Sequence, residues 1–278
     1  MNRTPTPLQV HQFICRTDNY GYLVHDADSG LTACIDTPEV APIERALQEK
    51  GWTLTHIFNT HHHFDHVGGN AELKQKMEYF HDVQCTVVGS RIDPERIPFI
   101  DVRVGDGDVF HFGKHEVVII ETPGHTRGHV AYHFPDQDIA FVGDHLFSLG
   151  CGRRMESSAR KMWQAMEKIM ALPDSTLLYC AHEYTEANAR FALAVEPENA
   201  DLQSRCAAVA ALRREGRPTV PTTLAVEKAT NPFLRPHSLA IQRRLNMVGA
   251  PFEQIFLELR NLKDAAWLGN GVPTGQAT

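Results

Sequence analysis

A run of histidines with one aspartate stands out as the stretch of the chain best suited to chemistry. Residues 60–70 read Thr-His-His-His-Phe-Asp-His-Val-Gly-Gly-Asn. This segment lies between a predicted buried strand, Leu54–Asn59, and a predicted helix, Ala71–Tyr79. Imidazole and carboxylate groups are ligands for zinc and other divalent transition metals. The candidate ligands in this loop are His61, His63, Asp65 and His66.

The spacing within the loop predicts two neighbouring metal centres. In an extended segment alternate side chains point the same way, so His61 and His63 can share one centre while His62 points away. A tight bend after His63 would bring Asp65 and His66 to a second centre, and the two glycines that follow allow the backbone to turn closely. A solvated or accidental histidine run is the alternative, but its position inside a strand-loop-helix pattern disfavours it.

Further candidate ligands each follow a predicted strand elsewhere in the chain. They are His125, Asp144 and His182. Residues just past strand ends come together, because the loops of a sheet converge at one edge. Each alone is a weak signal, since a single histidine after a strand is more often an ordinary turn residue. Together with the histidine loop they form a set that chance rarely produces.

The secondary-structure pattern changes about two thirds of the way along the chain. Up to residue 183 short strands alternate with turns and a few helices, whereas helical spacing dominates afterwards. This predicts a mixed α/β (α+β) catalytic domain over residues 1–183 and an α-helical domain over residues 184–278. The first hairpin is expected to turn at Asn19–Gly21. Predicted helices are Pro42–Lys50, Ala71–Tyr79, Ala159–Ala171, Glu186–Val195, Asn199–Gly216 and Ser238–Asn246.

Composition narrows the functional classes. The 278 residues are 42% hydrophobic, which suffices for a sizeable core and argues against disorder. The formal net charge is -7 without a run of like charges, so nucleic-acid binding and a nuclease are disfavoured. The six cysteines form no Cys-x-x-Cys pair and are expected to be free thiols in a reducing compartment. With no long apolar run and no secretory signal in Met1–Val10, we expect a cytoplasmic monomer without membrane partners.

The chain resembles the metallo-β-lactamase superfamily, whose signature is the Thr-His-x-His-x-Asp-His loop present at Thr60–His66. More narrowly, it is similar to the glyoxalase II (hydroxyacylglutathione hydrolase) family, and the similarity covers nearly the whole chain. Other shared segments are Thr122–Thr126, Gly143–Phe147 and Gly150–Arg153. The segments that point to the glutathione-thioester branch are His182–Thr185, Asn231–Arg235 and Arg260–Asp264.

This resemblance implies a fold and a ligand set. The fold is the metallo-β-lactamase αββα sandwich with metals at one edge, and a helical C-terminal domain that completes the substrate site. One metal would be held by His61, His63 and His125, the other by Asp65, His66 and His182, with Asp144 bridging both. Zinc is the expected ion, and iron and manganese stay open because mixed nitrogen and oxygen ligands suit all three.

The resemblance also implies a reaction. Two adjacent metals activate water for attack on a thioester carbonyl, and a thiolate leaves readily, so no serine or cysteine nucleophile is needed. Asp65 and Asp144 are the expected catalytic carboxylates. The expected substrate is S-D-lactoylglutathione, hydrolysed to D-lactate and glutathione in the second step of methylglyoxal detoxification. The family's substrate-binding positions are occupied by Arg153, Tyr184, Arg260 and Lys263.

Several positions depart from the family pattern. Met155 replaces an aromatic substrate-contacting residue, and Ser157-Ser158 replaces Gly-Thr. His145 stands where a small hydroxyl residue is common and could add a metal contact, and Ala181 replaces a glycine. None of these changes removes a ligand, so they bear on affinity and acyl specificity.

Other members of the superfamily offer alternative functions. A persulfide dioxygenase with a single iron would use His61, His63 and His125, but would not need the second ligand set or the segments at 231–235 and 260–264. A metallo-β-lactamase proper would be secreted. A scaffold that had lost catalysis would have no reason to keep all seven ligands.

Overall fold

The structure, a computed structural model, describes residues 6–267. The chain divides into two compact units, one with residues 6–122 and 126–143 and the other with residues 123–125 and 144–267. The domain boundary expected at residue 183 stays a prediction. Within the described range, every helix is too short or too polar to cross a lipid bilayer.

The first unit contains two sheets. Its strands are β1 (Gln9–Cys15), β2 (Asn19–Asp26), β3 (Leu31–Ile35), β4 (His56–Phe58), β5 (Thr86–Ser90), β6 (Val102–Val104), β7 (Val109–Phe112), β8 (His115–Glu121), β9 (Val130–Phe134) and β10 (Ile139–Gly143). Its helices are α1 (Val40–Lys50), α2 (Phe64–Val67) and α3 (Asn70–Phe80). Strands β1 to β6 form one sheet in chain order, antiparallel up to β3 and parallel from β3 onward. Strands β7 to β10 form an antiparallel arrangement.

Aromatic rings pack between these two sheets. Phe58 of β4 is fully buried, and its ring centroid lies 5.2 Å from those of Phe110 and Tyr132. The ring of Phe112 is 5.6 Å away. Offset and edge-to-face contacts of this kind stabilise a core beyond the area that they bury. The strand that leads into the histidine loop is therefore anchored in the centre of the sandwich.

Helices α1 and α3 cover the outer face of the first sheet. Ile43 and Leu47 of α1 lie in one buried cluster with Leu73 and Met77 of α3 and Ile57 of β4. Ile43 and Leu47 are four residues apart in α1, as are Leu73 and Met77 in α3, so each pair lies on one face of its helix.

The second unit is mainly helical. Its strands are β11 (Leu146–Phe147), β12 (Gly150–Cys151), β13 (Leu177–Cys180) and β14 (Thr222–Thr223). Its helices are α4 (Ala159–Met170), α5 (Thr185–Val195), α6 (Ala200–Arg214), α7 (Leu224–Thr230), α8 (Leu239–Arg244) and α9 (Phe252–Trp267). Strands β11 and β12 form a hairpin, and β13 pairs with β14. Phe256 of α9 packs on Trp163 of α4 at 5.6 Å and on Phe233 at 5.8 Å, joining α9 to the rest of the unit.

The six predicted helices are confirmed close to their predicted bounds. Gly51 ends α1 in the left-handed region with a φ of 66°. The predicted turn of the first hairpin is wrong. Asn19 pairs with Cys15 inside the ladder, and the chain turns at residues 16–18, where Arg16 has a φ of 51°. Helices α7 and α9 were not predicted.

The aromatic core makes a prediction about stability. Replacing Phe58 with alanine should lower the free energy of unfolding by about 3–5 kcal/mol, because a fully buried ring is lost and a cavity remains. The control is Tyr79→Ala on α3, where the side chain is 80% exposed and the change should be within about 0.5 kcal/mol. Urea unfolding followed by circular dichroism measures both. Equal midpoints for the two variants would contradict this account of the core.

Candidate metal centre

The histidine loop lies in the first unit between β4 and α3. His61 is fully buried, and its Nε2 lies 3.0 Å from Nδ1 of His63. Two ligand atoms of a tetrahedral metal with bonds of about 2.1 Å stand about 3.4 Å apart, so this pair fits a shared ion. His62 points elsewhere, with its Nδ1 3.0 Å from a carboxylate oxygen of Asp93. The predicted alternation along the loop is therefore confirmed.

Asp65 and His66 lie on α2, the short helix that begins after His63. A carboxylate oxygen of Asp65 lies 3.5 Å from Nε2 of His66. Asn19 of β2 donates from Nδ2 to that same oxygen at 3.2 Å and to the Asp65 carbonyl at 3.3 Å. The predicted bend thus brings these two side chains together, and an asparagine from a distant strand holds the carboxylate.

Asp36, directly after β3, orients the loop through three contacts. Its Oδ1 accepts from the backbone N–H of Thr60 at 2.7 Å, and its Oδ2 accepts from the Thr60 hydroxyl at 2.8 Å. Oδ2 also lies 2.8 Å from Nδ1 of His66. A carboxylate at Nδ1 keeps the ring proton there and presents Nε2 for metal binding. Asp36 was not predicted as part of the site, although it directly follows β3 in the same way that Asp144 follows β10.

His129 is a second buried residue that the sequence analysis missed. Its Nδ1 lies 2.7 Å from the Thr122 hydroxyl, and its ring stacks on His61 with 5.0 Å between centroids. A Cβ atom at Gly143 would stand 2.7 Å from its Nε2, and Gly143 has a φ of 51°, so only glycine suits that position. The signal was a histidine four residues after His125 in the same short loop.

The second unit brings the other three candidate ligands together. Asp144 is buried, and its Oδ2 lies 3.3 Å from Nε2 of His125. Its Oδ1 lies 3.3 Å from Nε2 of His182. Each carboxylate oxygen therefore faces a different imidazole. This arrangement suits a carboxylate that bridges two ions, and the nitrogen and oxygen donors suit divalent transition metals.

His125 is oriented by backbone from the segment after β12. Its Nδ1 lies 3.0 Å from the carbonyl oxygen of Arg153. Gly152 lets this segment pass close to the backbone of Asp144, because a Cβ atom there would come 1.9 Å from the carbonyl oxygen of Asp144. An imidazole whose Nδ1–H bonds to a carbonyl presents Nε2 to a metal.

Two of the predicted substrate-binding residues lie beside these ligands. The Arg153 side chain is exposed, and its carbonyl bonds to His125. The ring of Tyr184 is parallel to that of His182 with 4.8 Å between centroids, and 37% of the tyrosine is exposed. The tyrosine ring therefore lies against a candidate ligand, whereas Arg153 contacts His125 through its backbone.

The other two predicted substrate-binding residues are on α9. Arg260 is 3% exposed, and its Nη1 donates to the carbonyl of Cys151 at 2.8 Å while its Nη2 pairs with Asp264 at 2.9 Å. Lys263 donates to Oδ1 of Asn188. Burial, followed by the neighbouring Arg260 guanidinium, lowers the pKa of the Lys263 ammonium to about 7. Both cations therefore have partners within the protein.

Neighbouring titratable groups are held neutral. Burial lowers the pKa of His145 to about 3, and its ring bonds to the backbone of Ala165 in α4. Burial raises the pKa of Cys180 to about 12 and also raises that of Cys151. Both thiols stay protonated, in agreement with the expectation that neither is a nucleophile, and all six cysteines are free thiols.

Comparison with known families covers most of the chain. Residues 27–182 match the family model of the metallo-beta-lactamase superfamily, and residues 183–266 match that of the hydroxyacylglutathione hydrolase C-terminus. A hydroxyacylglutathione hydrolase of Maricaulis maris is 52% identical over 258 residues, which are 93% of this chain and 98% of that protein. The chain belongs to the hydroxyacylglutathione hydrolase family. A hydroxyacylglutathione hydrolase of Brucella anthropi is 50% identical over 95% of this chain and 99% of that protein.

Solved structures share the fold. ETHE1 from Myxococcus xanthus is 25% identical with a TM-score of 0.62, over 95% of this chain and 100% of that chain. The BLEG-1 B3 metallo-beta-lactamase is 19% identical with a TM-score of 0.59, over 82% of this chain and 100% of that chain. The expected metallo-β-lactamase fold is therefore confirmed. As a member of the hydroxyacylglutathione hydrolase family, the chain is an enzyme of the hydrolase class.

The contact between Asp36 and His66 makes a prediction about metal affinity. In Asp36→Asn an amide N–H replaces Oδ2 and faces Nδ1 of His66. Because Nδ1 must then accept a hydrogen bond, the ring proton moves to Nε2, and Nε2 can no longer bind a metal. Asparagine tolerates the φ of 57° at this position, so the backbone should be unchanged. Affinity should fall about 10- to 100-fold in chelator competition.

A second aspartate–histidine pair provides the control for this variant. Asp93→Asn alters the contact to His62, which points away from His61 and His63, and should leave metal affinity unchanged. Equal affinity in wild type and Asp36→Asn would contradict the orienting role of Asp36.

Proposed function

We propose that the chain hydrolyses S-D-lactoylglutathione to D-lactate and glutathione, the second step of methylglyoxal detoxification, at a centre of two divalent metal ions. Membership of the hydroxyacylglutathione hydrolase family supports the substrate class. The observation that carries the dinuclear centre is the carboxylate of Asp144, whose two oxygens face different imidazoles at 3.3 Å.

The proposed ligands are those that the family resemblance implies. One ion would be held by His61, His63 and His125, the other by Asp65, His66 and His182, with Asp144 as a ligand of both. Zinc is the proposed ion, and the same donors would accept iron or manganese. When bound, two such ions supply a water of lowered pKa and a Lewis acid for the carbonyl oxygen.

The chain's own residues orient these ligands and offer a hydrogen-bond acceptor to water. Asp36 and the Arg153 carbonyl hold the protons of His66 and His125 on Nδ1. Asn19 occupies one side of the Asp65 carboxylate, and the remaining acceptor capacity of that group lets it take a hydrogen bond from water. The glutathione thiol has a pKa near ~8.5, so it leaves as a thiolate without a general acid.

Substrate binding is assigned to the cations and the tyrosine of the second unit. Glutathione carries carboxylates, which need fixed cations and hydrogen-bond donors. Arg153 and Tyr184 stand beside the ligands, and Arg260 and Lys263 extend the proposed site along α9, within the proposed substrate-binding domain of residues 184–278. All seven proposed ligands come from one chain, so a monomer suffices. Free thiols suit the cytoplasm as the proposed location.

Substrate selectivity tests the proposed function. Hydrolysis of S-D-lactoylglutathione, followed at the thioester absorbance, should exceed that of the matching coenzyme A thioester by about 100-fold or more in kcat/KM. Two charge-assisted contacts of about 1.5 kcal/mol each account for this factor. Asp144→Ala should abolish turnover and lose metal. Equal kcat/KM for both thioesters, or oxygen consumption with a glutathione persulfide in place of hydrolysis, would contradict the proposal.

The lowered pKa of Lys263 makes a prediction about pH. The ammonium is charged below about pH 7 and neutral above it, so kcat/KM should fall as the pH rises through about 7, while kcat stays nearly constant. In Lys263→Met this fall should be absent and KM should be high at every pH. The control is Lys161→Met at an exposed position of α4, which should keep the wild-type profile. An unchanged fall in Lys263→Met would show that another group causes it.

A further inference from the structure

The β11–β12 hairpin connects two parts of the second unit's ligand set. It begins shortly after Asp144 and ends shortly before Arg153, whose carbonyl orients His125. Its strands pair in a single short register, Phe147 with Gly150 at the turn end. Two paired positions cannot hold such a hairpin alone. Whatever fixes the turn therefore also fixes the segments that carry Asp144 and the Arg153 carbonyl.

The turn of this hairpin has a backbone conformation that requires external support. Leu149 lies in the left-handed region with a φ of 58° and is fully buried. A leucine adopts that region only where its surroundings determine it. Its buried N–H and the neighbouring carbonyls also need partners, because the hairpin is too short to supply them.

Glu227 of α7 supplies the central partner. Its side chain is fully buried, and its Oε2 accepts from the N–H of Leu149 at 2.9 Å. Its Oε1 accepts from the hydroxyl of Ser148 at 3.0 Å. Burying a carboxylate is unfavourable, and an apolar side chain would fill the same space at lower cost. The acid is therefore best explained by the acceptors that it offers to the turn.

Two asparagines complete the arrangement around the turn. Asn231 donates from Nδ2 to the carbonyls of Phe147 at 3.1 Å and Gly150 at 3.0 Å, and to Oε2 of Glu227 at 2.9 Å. Asn188 of α5 donates to the carbonyl of Ser148 at 2.9 Å. Side chains from helices α5 and α7 thus both bond to the turn. Glu227 bonds to the turn and also to Asn231.

We propose that Glu227 is a positioning residue, which holds the β11–β12 turn and through the hairpin fixes Asp144 and the Arg153 carbonyl that orients His125. As far as metal binding and turnover are concerned, this inference rests on the proposed function. The helical part of the chain then supports the metal ligands through the hairpin, in addition to binding the substrate.

Glu227→Leu tests the inference through three readouts. Hydrogen exchange of the Leu149 amide in the metal-free full chain should accelerate about tenfold or more, the equivalent of one hydrogen bond to a charged group. Metal affinity in chelator competition should fall about 10- to 100-fold, as for other groups that orient ligands. Turnover should show a lower kcat with KM little changed.

Two conservative variants refine the test. In Glu227→Gln the amide oxygen can still accept from Leu149 and Asn231, and the amide nitrogen can donate to the Ser148 hydroxyl, so all three readouts should stay close to wild type. Glu227→Asp withdraws the carboxylate by one methylene and should change them in the direction of Glu227→Leu, by less. Glu227→Asp keeps the test decisive if Glu227→Leu does not fold.

The matched control is Glu196→Leu. Glu196 is also a buried acid of the second unit, 3% exposed, and it bonds to Arg235, Ser238 and Asn199 and to no atom of the hairpin. This variant should lower thermal stability and leave Leu149 exchange and metal affinity unchanged.

Three results would overturn the inference. The first is unchanged Leu149 exchange and metal affinity in Glu227→Leu, or in Glu227→Asp if Glu227→Leu does not fold. The second is a Glu227→Gln variant as impaired as Glu227→Leu or, if that variant does not fold, more impaired than Glu227→Asp. The third is the same loss of Leu149 protection and metal affinity in Glu196→Leu. If the wild-type chain bound no metal and hydrolysed no thioester, the proposed function would fail. Leu149 exchange would still decide whether Glu227 holds the turn.

Discussion

A buried imidazole binds a metal well only if a hydrogen-bond partner fixes its other ring nitrogen. His66 receives this support from Asp36, and His125 receives it from the carbonyl of Arg153. Each support also fixes the tautomer, which leaves Nε2 as the ligand atom. The buried carboxylate of Asp36 is in turn satisfied by the backbone and hydroxyl of Thr60. Each of these two histidines is thus oriented by residues of its own unit.

The same constraint gives the helical part of the chain a second role. A carbonyl can orient His125 only if the segment that carries it is rigid, and that segment follows a hairpin of two short strands. Glu227 and Asn231 supply the hydrogen bonds that this hairpin cannot make for itself. In this view the α7 region, which bonds to the turn, supports the proposed metal centre.

The sequence predicts the ligands better than it predicts what supports them. Ligands such as Asp144 follow strands directly, so chain position alone marks them. Glu227 bonds to Leu149, 78 residues away, and no local pattern indicates such a contact. Asp36 was not predicted because its partners, Thr60 and His66, lie 24 and 30 residues further along the chain. The turn expected at Asn19–Gly21 failed because Asn19 pairs in the ladder and bonds to Asp65, whereas a residue without a glycine's freedom, Arg16, makes the turn.

Metal reconstitution of the chelated chain tests the central claim most directly. Activity towards S-D-lactoylglutathione should be regained as divalent ion is added and should reach its maximum at two ions per chain, because Asp144 presents one oxygen to each imidazole. Full hydrolytic activity at one ion per chain, or full activity without metal, would contradict a dinuclear centre assembled from these two ligand sets.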